Sequence, residues 1–107
     1  MASDRSRQGR SGVGQLLYGA TAASFAIDDR ALAHLEMVIL SKLRRNEGFA
    51  LSIEDAEGGR TALWLGAHSE LRFVFEKSRS EIDKDWLERL VDAANSPSGL
   101  SLPAERT

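Results

Sequence analysis

Residues 31–40 read Ala-Leu-Ala-His-Leu-Glu-Met-Val-Ile-Leu, the longest apolar run in the chain. The run is too short to span a bilayer and charges flank it closely, so it belongs to a core. It reads as the middle of the main helix, expected over residues 29–46. Asp28 and Asp29 supply an N-cap and negative charge where the helix dipole favours it. At 100° per residue, Ala31, Leu32, Leu35, Ile39 and Leu43 share one face. His34, Met37 and Arg44 fall opposite, with Val38 and Leu40 on the two flanks. Glu36 sits at the edge of the buried arc and is expected to reach solvent. The apolar arc is therefore wider than one sheet needs to cover. Lys42, Arg44 and Arg45 fall in the last turn, where cations meet the negative end of the dipole. Asn46 and Gly48 are reasonable terminators.

The rest of the chain must supply the covering layers. Residues 13–18 and 22–27 read as two strands around a Gly19-Ala20-Thr21 turn. After the helix, residues 49–54 alternate, with Phe49, Leu51 and Ile53 inward. Asp55 to Gly59 form a turn. Residues 60–65 then place Thr61, Leu63 and Leu65 on one face and Ala62 and Trp64 on the other. Leu71, Phe73 and Phe75 alternate against Arg72, Val74 and Glu76. Short links between these three strands predict an antiparallel meander.

Asp83 is a good N-cap for a second helix, expected over residues 84–95. Its apolar stripe is Trp86, Leu87, Leu90, Val91 and Ala94. Asn95 to Gly99 stop it, and residues 100–102 offer an optional last strand before Pro103. The expected fold is α+β in the order β-β-α-β-β-β-α. It has one mostly antiparallel sheet with both helices on one face. Residues 1–12 hold nothing to bury and are expected to be a disordered tail. Residues 13–102 form one domain, and 103–107 are expected to fray.

Charge and residue types exclude several functions. Arg5, Arg7 and Arg10 against Asp4 give the tail a net charge of +2, while the whole chain carries −2. The folded part is thus net negative, the opposite of most duplex-binding domains. No cysteine is present, which removes disulfides, thiolate metal sites and cysteine nucleophiles. Residues 1–12 show no apolar signal-peptide core, so a cytoplasmic protein with no membrane association is expected.

Candidate chemistry is thin. His34 and His68 are the only histidines, and neither has a second ligand at helical metal-site spacing. His68-Ser69-Glu70 holds triad residue types, but neighbours in a chain do not converge as a triad does. There is no phosphate-binding glycine loop followed by Lys-Ser or Lys-Thr, and no dinucleotide fingerprint. No catalytic residue, metal or cofactor is therefore expected. The candidate contact residues are His34, Met37, Lys42, Arg44 and Arg45 on the main helix, and Trp64 with Arg72 on the sheet. An exposed aromatic with a cation beside it is a plausible contact for a partner.

Several motifs carry a resemblance. They are Leu17-Tyr18-Gly19, the run from Ile27 to Leu35, and Lys42-Leu43-Arg44-Arg45. Trp64-Leu65, Trp86-Leu87-Glu88 with Leu90, Ala94 to Pro97, and Gly99-Leu100 complete the set. Over residues 14–102 the chain resembles a family of short actinobacterial proteins of unknown function, whose members begin near the position of Gly14. Some members carry the label of an ATP-dependent DNA ligase. That chemistry uses a Lys-x-Asp-Gly nucleophile motif, and no such tetrapeptide occurs here. What the label implies is at most an accessory role near DNA.

The expected function is a non-catalytic binding or interaction module, self-associating or bound to a larger protein. Surplus apolar surface at Met37, Val38, Leu40 and Trp64 is the motive. The alternative is a DNA-associated accessory protein using the basic tail with Lys42, Arg44 and Arg45.

Overall fold

The computed structural model describes residues 12–55, 57–77 and 81–103. Asp28 opens the first helix as its N-cap. Its carboxylate accepts the N–H groups of Arg30 and Ala31, each at 3.1 Å. Helix α1 then runs Asp29–Arg44. It ends on Asn46 in the left-handed region, φ 63°. Glu47 N–H bonds to the Lys42 carbonyl and Asn46 N–H to that of Leu43, the paired closure in which asparagine substitutes for glycine.

Two strands precede α1. Strands β1 (Val13–Tyr18) and β2 (Ala23–Asp28) form the expected antiparallel hairpin. Strands β3 (Phe49–Glu54) and β4 (Arg60–Leu65) follow α1 as a second antiparallel pair. Strand β5 is Leu71–Val74, helix α2 is Lys84–Ala94, and β6 is Leu100–Pro103. The optional last strand is thus present, and it pairs parallel to β3. Of the expected tail at residues 1–12 and frayed end at 103–107, residues 1–11 and 104–107 lie outside the described residues, while Pro103 is the last residue of β6. Gly12 is tied to the domain, its carbonyl accepting Asp29 N–H at 2.9 Å.

The α+β class holds, with a finer arrangement than one sheet. Among the described residues, six strands form two three-stranded sheets, in the orders β2-β1-β5 and β4-β3-β6. The expected meander breaks after β4, because β5 crosses to pair antiparallel with β1. Pairing there sets Phe73 and Phe25 on either side of the wholly buried Leu16. A carboxylate fixes the far end of β5. Asp29, fully buried, accepts Glu76 N–H at 3.1 Å and Lys77 N–H at 2.8 Å. Tyr18 joins the two sheets, its hydroxyl donating to the Trp64 carbonyl at 2.8 Å.

Helix α1 packs on β1 and β2, and α2 on β3 and β6. The core runs continuously beneath both, through Leu16, Ile27, Leu32, Leu35, Ile39, Leu51, Leu65 and Leu100. The helices also pack on each other. His34 meets Asp83 at the start of α2, and Lys42 meets Asn95 at its end. The two helices therefore run in the same direction. This second neighbour accounts for part of the wide apolar arc on α1, and Val38 is buried rather than left on a flank.

Candidate interaction surface

Three polar side chains on α1 are buried, Asp29, His34 and Lys42, and each serves the interior; two of them, His34 and Lys42, are among the expected contact residues. His34 was expected on the outward face; it is 0% exposed. The reason is α2, which covers the face that a single sheet would have left open. Asp83 N–H donates to His34 Nε2 at 2.8 Å. A backbone N–H can only donate, so Nε2 is the unprotonated nitrogen. Nδ1 carries the proton and donates to the Arg30 carbonyl at 2.7 Å. The ring is thus a neutral imidazole with both nitrogens engaged. Trp86 lies against it, ring centroids 4.3 Å apart, and the Arg30 guanidinium sits 5.6 Å from a Trp86 ring centroid. His34 is closed to any external partner.

Asp83 continues the same assembly. Its carboxylate caps α2, accepting the N–H groups of Asp85 at 3.0 Å and Trp86 at 3.2 Å. The Trp86 bond chiefly holds the carboxyl below its ordinary value of 3.8. Partial desolvation opposes this, while the Asp85 N–H, Arg30 and Arg89 reinforce it.

Lys42 was grouped with Arg44 and Arg45 as a basic cluster. It is 8% exposed and turned toward α2. Its ammonium donates to Asn95 Oδ1, pairs with Glu47 at 3.4 Å and lies 5.8 Å from the Phe49 ring centroid. Arg44 and Arg45 alone remain exposed, so the cluster is divided between interior and surface.

By residue type and position alone, Asp29 is only helix-start charge. The available signal was the Asp28-Asp29 doublet: one carboxylate caps the helix, which frees the second to bond elsewhere. Gly14 confirms how tightly that second carboxylate is held. A Cβ placed at Gly14 would lie 2.6 Å from Asp29 Oδ1 and 2.6 Å from the Val74 carbonyl oxygen.

The outer surface is different in kind. Met37 is 44% exposed and Leu40 47%, and with Ser41, Arg44 and Arg45 they line a shallow depression on α1. Trp64, on the edge strand β4, is 62% exposed. One side of its indole lies over Gly48, where a Cβ would come within 2.6 Å of Cζ2. Tyr18, Trp64, His68, Ser69 and Glu70 line a second shallow depression. Arg72 was expected beside Trp64 on a neighbouring strand. It is exposed, but β5 belongs to the other sheet; Arg72 pairs with Leu17 and Trp64 with Ala50.

Among the described residues, no group of three or more His, Asp or Glu side chains is placed to hold a metal ion. No buried side-chain nitrogen or oxygen among them lacks a hydrogen-bond partner. None of their helices is long and apolar enough to cross a membrane.

The fold and these surfaces define a small two-sheet α+β module in which, among the described residues, every buried polar side-chain atom is bonded and several large apolar residues lie outside. The chain belongs to the family described as a domain of unknown function (DUF7882), whose model matches residues 13–105. No curated protein and no solved structure matches it.

Proposed function

We propose that the chain is a non-catalytic protein-interaction module whose contact surface centres on Trp64. The observation that carries this reading is the indole itself, 62% exposed on an edge strand. Its backbone is held by the Tyr18 hydroxyl and its ring rests over Gly48. A large, rigid, amphipathic side chain that loses little freedom on contact is the usual anchor of a protein interface. An edge strand beside it offers backbone groups that an incoming segment can use.

A catalytic reading has less support, because His34 and Asp29 are each consumed by backbone hydrogen bonds. A DNA-associated reading loses Lys42 to the interior and keeps Arg44 and Arg45 on a net negative body. The test is a photo-crosslinking amino acid placed at position 64 in the source cells. A discrete adduct at 64, absent with the same probe at the exposed Asp92 position on α2, supports the proposal. Equal diffuse labelling from both positions contradicts it.

A further inference from the structure

The outer face of α1 carries a second message, distinct from Trp64. Glu36, Leu40 and Arg44 are spaced four apart, so they form one ridge along the helix. Leu40 stands at its centre, with a carboxylate one step toward the N-terminus and a guanidinium one step toward the C-terminus. Met37 flanks the ridge beside Leu40. Glu36 is half-buried and Arg44 exposed. Neither has a side-chain hydrogen bond or ion pair within the described residues. An outward face with two large apolar residues between unpaired opposite charges is unusual for a helix that meets only water.

We infer that this face binds a second copy of the chain, with the two α1 helices antiparallel about a two-fold axis at Leu40. Residues equidistant from the axis then face each other. Glu36 of each copy meets Arg44 of the other, Leu40 meets Leu40, and Met37 fills the space beside them. A parallel arrangement sets Glu36 against Glu36 and Arg44 against Arg44, so charge alone selects the antiparallel one. Ridge-into-groove packing of four-apart rows is the commonest helix contact, and it suits this spacing. A two-fold contact is self-complementary and closes at the dimer, so it does not propagate into filaments. One helix pair is a small interface, below about 1,200 Å², which belongs to the weak, transient class. Dimerisation is accordingly expected in the micromolar range. The inference relies on the interaction reading only in giving this face a protein as its occupant; Trp64 lies outside it.

The test is sedimentation velocity of the full chain across micromolar concentrations, with circular dichroism to verify folding of each variant. The wild type is expected to shift from monomer to dimer. Leu40→Glu, at an exposed position, abolishes the dimer without unfolding the chain. Glu36→Arg and Arg44→Glu each weaken it about tenfold by setting like charges together. The double variant Glu36→Arg/Arg44→Glu restores it, because the exchanged charges again meet their opposites across the axis. A wild type that stays monomeric overturns the inference, as does a dimer indifferent to these charge changes. Neither result touches the crosslink expected at position 64, so the two readings fail separately.

Discussion

The Asp83 N–H donates to His34 Nε2 at 2.8 Å across 49 residues of chain. This bond sets the start of α2 against the first turns of α1. Lys42 and Asn95 repeat the arrangement at the other end, and Val38 lies buried between the two positions. The row His34, Val38, Lys42 is thus the seam between two co-directional helices, polar at its ends and apolar at its middle.

Removing the imidazole should therefore loosen α2 rather than alter any surface. His34→Ala leaves the Asp83 N–H without its acceptor and a void against Trp86. Stability should fall by about 2–4 kcal/mol. His34→Gln, which can offer a carbonyl oxygen, should recover part of the loss. Urea unfolding measures both; a loss under about 0.5 kcal/mol, the size of an ordinary surface change, would show that the seam does not depend on this ring.

Acid should weaken the cap on α2. Asp83 is held below its ordinary value in the folded chain, mainly by the Trp86 N–H. A carboxyl lowered by folding adds stability above its unfolded value of about 3.8, and that contribution is lost as pH falls through the folded value. The thermal midpoint of the wild type should therefore drop across this acid window. Asp83→Asn still caps the helix but cannot titrate. It should remove that part of the slope while leaving neutral-pH stability nearly intact. An unchanged slope in the variant would remove Asp83 as its source.

The clamp on β5 depends on two residues at once. Asp29→Ala leaves the Glu76 and Lys77 N–H groups without their buried acceptor, at a cost of about 2–3 kcal/mol. Gly14→Ala drives a methyl group into the same carboxylate, at a cost of about 1–3 kcal/mol. Because both changes disturb one contact, the double variant should lose less than the sum. Hydrogen exchange should speed up at β5 in all three. Strict additivity would mean that Gly14 and Asp29 act independently.

Much of this fold is local and could be read from the chain. Asp28, Asp83 and Asn46 announce the helix ends by their own backbone preferences. The alternation of Phe49, Leu51 and Ile53 announces β3. What the sequence hid is non-local. Strand β5 crosses to β1, and the chain just beyond it is held by Asp29, a residue more than 40 positions away. His34 looked outward because a helical wheel allows one covered face, and α1 has two. The same second face absorbed Lys42, whose long apolar stem lets it lie inside while its ammonium finds Asn95 and Glu47. Of the residues expected to make contacts, Met37, Arg44, Arg45, Trp64 and Arg72 do lie at the surface. The supposed pairing of Trp64 with Arg72 does not form, since it assumed a single sheet.

Emission from the two tryptophans should separate the surface from the seam. Trp64 is largely exposed and Trp86 half-buried. Trp86→Phe should leave a red-shifted emission open to iodide quenching, and Trp64→Phe a bluer, shielded one. In the Trp86→Phe background, Gly48→Ala should displace the Trp64 ring from its seat and change its emission. Equal quenching of both single-tryptophan proteins would contradict the different placements.

The central claim is that Trp64 is a contact residue, not an idle exposed one. Hydroxyl-radical footprinting, comparing the purified chain at low concentration with the chain inside its source cells, measures this at the side chain itself. Trp64 should oxidise readily in isolation and be strongly protected in the cell, while His68 on the same rim changes less. An indole as easily oxidised in the cell as in dilute solution would contradict the account.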